Sequence, residues 1–434
     1  MTYRISLLLL LFSSIATTVL AQRPAPNDEK PRKILLMGGV AHVGNGTLIE
    51  NSAIGLADGK ISFIMDARGF KPDPRSFDTL IYLEGKHVYP GFISIGSILG
   101  LSDLELVRAT NDFRESGSVN PGARTLIAYN TDSRVIPTVR DNGILTAQVA
   151  PQGGLISGTS SVVQLDAWNY EDAVVKTDDG IWVNWPSMRV FKGSWADPED
   201  EQRERNERDL QNLLKQFEEA SSYAKDRPAV KNSHLEAMKG LFDGSKSLFV
   251  RCDYAREIVE AVQASERYGM RLVIVGGADS WRVATLLKEK NVPVVIERTH
   301  SLPYREDEDV DLPYKLPALL KKSGVLFAIT DQGFWQHRNL PFQAGTAAGY
   351  GLSREEAVSS ITLNAAKILG IDSFCGSLEE GKDATLFVSK GDALEMTGNS
   401  VMMAFIQGRE IVLDSYQKEL YRRYLKKYGL KEQP

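Results

Sequence analysis

At Gly91 the pattern of the chain changes, and that change constrains the fold more than any other feature. Before it, from Ile34 to Pro90, short apolar runs alternate with the turn signals Gly44-Asn45-Gly46, Asp58-Gly59 and Glu84-Gly85. Asn-Gly and Asp-Gly between apolar runs mark tight hairpins, so this stretch reads as a small antiparallel β unit. After Gly91, apolar strand runs are separated by helical stretches, the pattern of successive parallel βα units. It is clearest as a strand over 247–250, a helix over 254–268, a strand over 271–275, a helix over 280–290 and a strand over 292–296. Units this short and regular predict an α/β chain built on a (β/α)8 TIM-like barrel.

Beyond the barrel pattern, Ser353-Arg354-Glu355-Glu356 forms a capping box that should start a helix running to Gly370. Residues 376–388 then read as a turn leading into a strand, and 401–412 as a hairpin turning at Gln407-Gly408. The N-terminal β unit is too small to bury a core alone. One composite β-sandwich built from both chain ends, residues 34–90 and 373–415, is therefore expected to flank a barrel over 91–372. A charged helix over 197–226 and a terminal helix over 416–434 complete the layout.

The first residues carry one basic residue, Arg4, then an apolar run over 5–12 and a small-residue stretch ending Val19-Leu20-Ala21. This is the pattern of a secretory signal peptide over 1–21, followed by a flexible proline-bearing leader over 22–33. Its apolar run is shorter than the roughly 20 residues that span a bilayer, so export is expected, to the periplasm or the extracellular space, with no membrane span. With 51 basic and 56 acidic residues the net charge is -5, which provides no field for nucleic acid. Cys252 and Cys375 lack metal-type spacing and read as free structural thiols.

Four stretches carry a resemblance to a known family: 49–61, with Asp58-Gly59-Lys60-Ile61; 85–93, with Tyr89-Pro90-Gly91-Phe92-Ile93; 362–370, with Asn364-Ala365-Ala366; and 376–384. Together they resemble the amidohydrolase superfamily, most closely its imidazolonepropionase-like branch. That resemblance implies a hydrolase of non-peptide C–N bonds, of the cyclic amide type. In the family a divalent metal generates the attacking hydroxide. Its ligands come from an His-x-His on the first barrel strand, a Glu or carboxylated Lys on a middle strand, histidines on two later strands and an Asp on the eighth.

Here the first-strand positions are Gly96 and Ile98, the later histidine positions are Arg251 and Gly276, and only the eighth-strand acid remains, as Asp331. One carboxylate cannot hold a catalytic metal, so no metal site and no cofactor are expected unless a zinc or other divalent site has been rebuilt. His300 and His337 are the histidines placed to join Asp331 in such a site or, without metal, to bind substrate at the barrel mouth; ordinary loop hydrogen bonding is the other reading of both. By the resemblance Asp331 would be the general base; Arg251 either supplies a fixed cation paired with it in place of metal or points at solvent from its strand end. Gly153, Gly154 and Ser157, in the glycine-rich stretch 151–161, could cradle an anionic substrate through backbone N–H groups; a tight loop is the other reading of this run. Two readings therefore stand: a C–N hydrolase, or a catalytically inactive barrel that binds a small molecule or supports an active homologous subunit or a second copy.

Overall fold

The computed structural model of the protein describes residues 32–193, 196–226 and 230–431. The expected signal peptide, and the leader up to residue 31, lie outside the described residues. Among the described residues sixteen strands follow in chain order. The first five are β1 (Ile34–His42), β2 (Leu48–Ala57), β3 (Lys60–Asp66), β4 (Thr79–Tyr82) and β5 (His87–Pro90). Next come β6 (Phe92–Ser97), β7 (Ile144–Val149), β8 (Ile156–Gln164), β9 (Val174–Asn184), β10 (Ser247–Cys252), β11 (Arg271–Gly276), β12 (Val294–Glu297) and β13 (Phe327–Thr330). The last are β14 (Leu386–Ser389), β15 (Val401–Ile406) and β16 (Arg409–Glu410).

Both chain ends build one sheet, in the order β16-β15-β14-β5-β1-β2-β3 with β4 also on β1. The strands expected to form a sandwich are thus hydrogen-bonded as a single sheet that branches at β1. β14 closes the two ends together by pairing antiparallel with β5, Phe387 opposite Tyr89. Ile54, Leu56, Val88, Leu386 and Phe405 form its buried core. The β2–β3 turn puts Asp58 and Gly59 at φ 51° and 80°, and the β15–β16 turn puts Gln407 and Gly408 at 49° and 73°. Paired positive φ values are what a two-residue hairpin turn needs, which is why these turns were legible.

The second sheet runs β6 to β13 in order and nearly closes on itself. At the seam, Thr330 Oγ1 donates to Ile95 O at 2.6 Å. It departs from a strict (β/α)8 barrel: β8 pairs antiparallel with both β7 and β9. Only six residues, 150–155, join β7 to β8. A parallel crossover needs a dozen or more, so the chain can only turn back as a hairpin. From β9 to β13 every pairing is parallel.

The helix Ala255–Tyr268 matches its expected span and ends at Gly269, φ 68°. By contrast the expected continuous helix after Ser353 divides into Arg354–Ser360 and Leu363–Leu369. It breaks because the Ile361 carbonyl accepts from Ile93 N of β6 instead of continuing the helical ladder. The same contact docks this segment on the barrel. Among the described residues no helix is long and apolar enough to cross a membrane.

Candidate functional site

In a closed barrel, alternate residues of each strand point inward. Ile93 and Ile95 of β6, Trp182 of β9, Phe249 of β10, Val273 and Val275 of β11, Val295 of β12 and Ala328 of β13 meet in one buried cluster. The Trp182 indole stacks on Phe249, ring centres 4.9 Å apart and 4° from parallel. Above it the Arg251 guanidinium lies 4.4 Å from the indole centre. Arg251 Nε then faces Glu297 Oε1 at 3.6 Å, and Gln332 Nε2 donates to the other Glu297 oxygen at 3.1 Å. A column of ring, ring, cation and carboxylate therefore fills the barrel from its middle toward the C-terminal ends of the strands.

Gly96 sits against this column. Its φ is 70°, and a Cβ there would lie 2.6 Å from Trp182 Cη2. Its N–H donates to Gln148 Oε1 at 3.2 Å. Gln148 Nε2 donates in turn to Asp179 Oδ2 at 2.6 Å, and Ser160 Oγ to Asp179 Oδ1 at 2.7 Å. Burial pushes the Asp179 carboxyl up to about 6, against the pull of these two donors. Gly276, at φ 92°, has equally little room: a Cβ would meet Asp253 Oδ1 at 2.7 Å. Ile98 is buried in the apolar layer outside the lumen.

The divalent metal that the resemblance implies does not fit these residues. Two ligand positions have no side chain and no space for one, a third is apolar, and a fourth holds a cation stacked on an indole. Among the described residues no three His, Cys, Asp or Glu side chains converge as a ligand set.

Asp331 is 2% exposed. It accepts from Gln332 N at 2.8 Å and from Gln343 Nε2 at 3.0 Å, and burial raises its carboxyl above the ordinary range. In place of the expected pair with Asp331, Arg251 faces Glu297, at the end of β12, two strands along the sheet and next to the β13 that Asp331 follows. Gln343, from the helix Leu340–Gly349, also accepts from His300 N at 2.8 Å, so it ties Asp331 to the loop after β12. His300 Nε2 hydrogen-bonds Thr346 Oγ1 at 2.6 Å. His337 lies elsewhere, fully buried and bonded through Nδ1 to Ser94, whose neighbours Ile93 and Ile95 are the lumen residues of β6. Burial depresses this imidazole to about 4 and keeps it neutral. The structure therefore ties His300 to Asp331 through Gln343, while His337 hydrogen-bonds Ser94.

Gly153 and Gly154 form the β7–β8 turn at φ 81° and 66°. The turn packs under the loop before it: a Cβ on Gly153 would meet the Arg114 guanidinium and one on Gly154 would meet Ser118 O. Ser157 is buried on β8 and accepts from Asn184 Nδ2 at 3.1 Å.

A small pocket of about 40 Å³ opens at the C-terminal ends of β10, β11 and β12. That is room for one or two water-sized groups. Asp253, Glu297, Tyr304 and Glu308 give it polar atoms, and Ile296 and Leu316 give it an apolar side. Asp253 accepts from Tyr304 Oη at 2.8 Å and Ala278 N at 3.3 Å. Burial pushes its carboxyl up to about 6, with Glu297 and Glu257 adding to the rise. Arg298, on the rim, holds φ 65°, an uncommon conformation for a non-glycine residue.

Sequence reasoning missed Trp182, Glu297 and Asp253. The alternation Gly180-Ile181-Trp182-Val183-Asn184 would have placed Trp182 on the face of Gly180, and Glu297 directly follows an apolar strand run.

The comparisons agree with this architecture. An Amidohydrolase family model matches residues 316–412. Among solved structures, an amidohydrolase from Thermotoga maritima MSB8 superposes with a TM-score of 0.76 at 22% identity, over 88% of this chain and 100% of that chain. A molinate hydrolase gives 0.57 at 15% identity, over 89% and 96%. A Xaa-Pro dipeptidase with bound methionine gives 0.56 at 16%, over 87% and 99%. No curated protein matches the chain. The fold is that of amidohydrolase-like hydrolases: a nearly closed eight-stranded barrel sheet with a second, composite sheet.

Proposed function

We propose that this chain is an exported amidohydrolase-fold protein of the imidazolonepropionase-like branch that works without a divalent metal and holds a small polar ligand at the barrel mouth. One observation carries the reading: the Trp182 indole occupies the space a ligand at residue 96 would need, and Arg251 lies over it. The positive charge of the lumen is then a guanidinium balanced by Glu297, while Asp253 and Tyr304 face the ligand from the pocket wall. Elemental analysis of the purified protein is expected to give zinc and other divalent metals well below one equivalent per chain. Chelator should leave the thermal midpoint unchanged, and near-stoichiometric metal would sink this reading.

A second reading, hydrolysis of a cyclic amide or related C–N bond, is favoured by the carboxyl of Asp253. A carboxyl poised near 6 beside a hydroxyl donor is suited to moving a proton near neutral pH. In that role Asp253 would take a proton from the attacking water and return it to the leaving nitrogen, since Asp331 does not line the pocket. Turnover on an amide and lactam panel that persists in chelator and is lost in Asp253→Asn would establish it; no turnover on the panel would leave the ligand-binding barrel.

Asp253 also makes a prediction for stability. Its folded carboxyl keeps a proton to about 6, whereas an unfolded one releases it near 3.8. The folded chain thus binds more protons in that window, and stability from this group falls as pH rises from about 4 past 6. Asp253→Asn should accordingly be near neutral at pH 4 and stabilising at pH 7.5, by on the order of 2 kcal/mol. Urea midpoints at the two pH values check it; an equal effect at both would contradict the burial argument.

A further inference from the structure

The terminal helix Tyr416–Tyr428 buries none of its residues. A helix of this length is marginal on its own in water. Its first turn is anchored: Gln417 Oε1 accepts from Thr138 Oγ1 at 2.8 Å, Lys418 Nζ pairs with Asp141 at 2.8 Å, and the Arg134 guanidinium lies 5.5 Å over the Tyr416 ring. Past that turn Tyr421, Tyr424 and Tyr428 are 47%, 55% and 63% exposed. At spacings of three and four they share one face, and the Tyr424 and Tyr428 rings stack at 6.3 Å. Arg422, Arg423, Lys426 and Lys427 occupy the other faces. The helix holds five Lys or Arg against one Glu, on a chain whose net charge is -5. Part of that charge is met within the chain: Arg422 pairs with Asp414 at 2.8 Å and Arg423 faces Glu419 at 3.7 Å, while Lys427 lies 5.3 Å over the Tyr428 ring.

We propose that this helix docks the protein on an anionic lipid surface. Tyrosine puts a ring into the headgroup boundary while its hydroxyl stays in water, and lysine and arginine beside it meet anionic headgroups. A second copy is a poorer occupant, because a two-fold contact through this face would set one basic helix against another. The attachment is peripheral and reversible, since the apolar area of three tyrosine rings is modest.

Co-sedimentation of the purified protein with vesicles tests it. Binding to phosphatidylcholine vesicles containing phosphatidylglycerol is expected to exceed binding to phosphatidylcholine alone by about tenfold at low salt, and to fall when salt is raised. Two variants separate the contributions: Tyr421→Ser with Tyr424→Ser and Tyr428→Ser, and Arg423→Glu with Lys426→Glu and Lys427→Glu. Each should lose most of the binding while keeping the wild-type thermal midpoint. Equal binding to neutral and anionic vesicles, or binding that both variants retain, overturns the proposal. So does light scattering in which the tyrosine variant turns a dimer into a monomer, which would make the helix a self-association surface. Should a variant fold poorly, the lipid and salt dependence of the unmodified protein still decides.

Discussion

Replacing Gly96 with alanine or histidine is expected to destabilise the protein by about 2–5 kcal/mol and to bring no metal into the barrel. Two costs combine. A side chain at φ 70° meets its own carbonyl, and its Cβ lands 2.6 Å from Trp182 Cη2 in a buried layer with no slack. Gly96→His tests the chemistry as well as the packing, because it restores the first-strand histidine of the resembled family without the room to use it. Urea unfolding followed by circular dichroism measures the loss, and elemental analysis of the same sample measures metal. A Gly96→His protein of wild-type stability holding an equivalent of zinc would show that the indole yields easily, and the metal-free reading of the lumen would fall with it.

The second large effect concerns the indole itself. Trp182→Ala removes the largest fully buried side chain of the lumen and should cost about 3–5 kcal/mol. It also leaves the Arg251 guanidinium without the ring beneath it, at 3.6 Å from Glu297 as its remaining partner. Arg251→Ala in the wild type and in the Trp182→Ala background should therefore differ, with a coupling of about 1–2 kcal/mol. Additive losses would mean that guanidinium and indole are neighbours without being partners. The pair is also where the two readings of function part: a ligand-binding barrel needs this column to keep its mouth in shape, whereas a hydrolase would in addition lose turnover in proportion to the disturbance of Asp253.

The hairpins at Asp58-Gly59 and Gln407-Gly408 were legible because a turn is a local bargain between two residues and their φ angles. The composite sheet was legible in outline, since a β unit without a core must find strands elsewhere. Its hydrogen bonding as one branched sheet was not, because pairing partners are set by registers between residues some three hundred positions apart, such as Phe387 with Tyr89. The antiparallel β8 could have been read from the six-residue connection before it; the glycines there look equally like a ligand loop and a tight turn. The break between Arg354–Ser360 and Leu363–Leu369 had no local signal, for it is made by Ile93 of β6.

Among the candidate site residues, the substitutions at 96, 98, 251 and 276 could be counted from the chain alone, and with them the departure from the resembled ligand set. What fills the resulting space could not. Arg251 has the same sequence neighbours whether it turns to Asp331 or to Glu297, and both carboxylates end barrel strands. The choice is made by strand order and by the indole under the guanidinium, which positions that cation beside β12. The sequence by itself determined the outline of a barrel with a second β unit built from both chain ends, and which residues stand at the positions the resemblance assigns to ligands, because strand periodicity, turn chemistry and residue identity are local properties. Only the tertiary structure decided that a tryptophan and an arginine occupy the centre, and that Asp253 rather than Asp331 faces the pocket, because closing the barrel brings distant strand ends within van der Waals reach of one another.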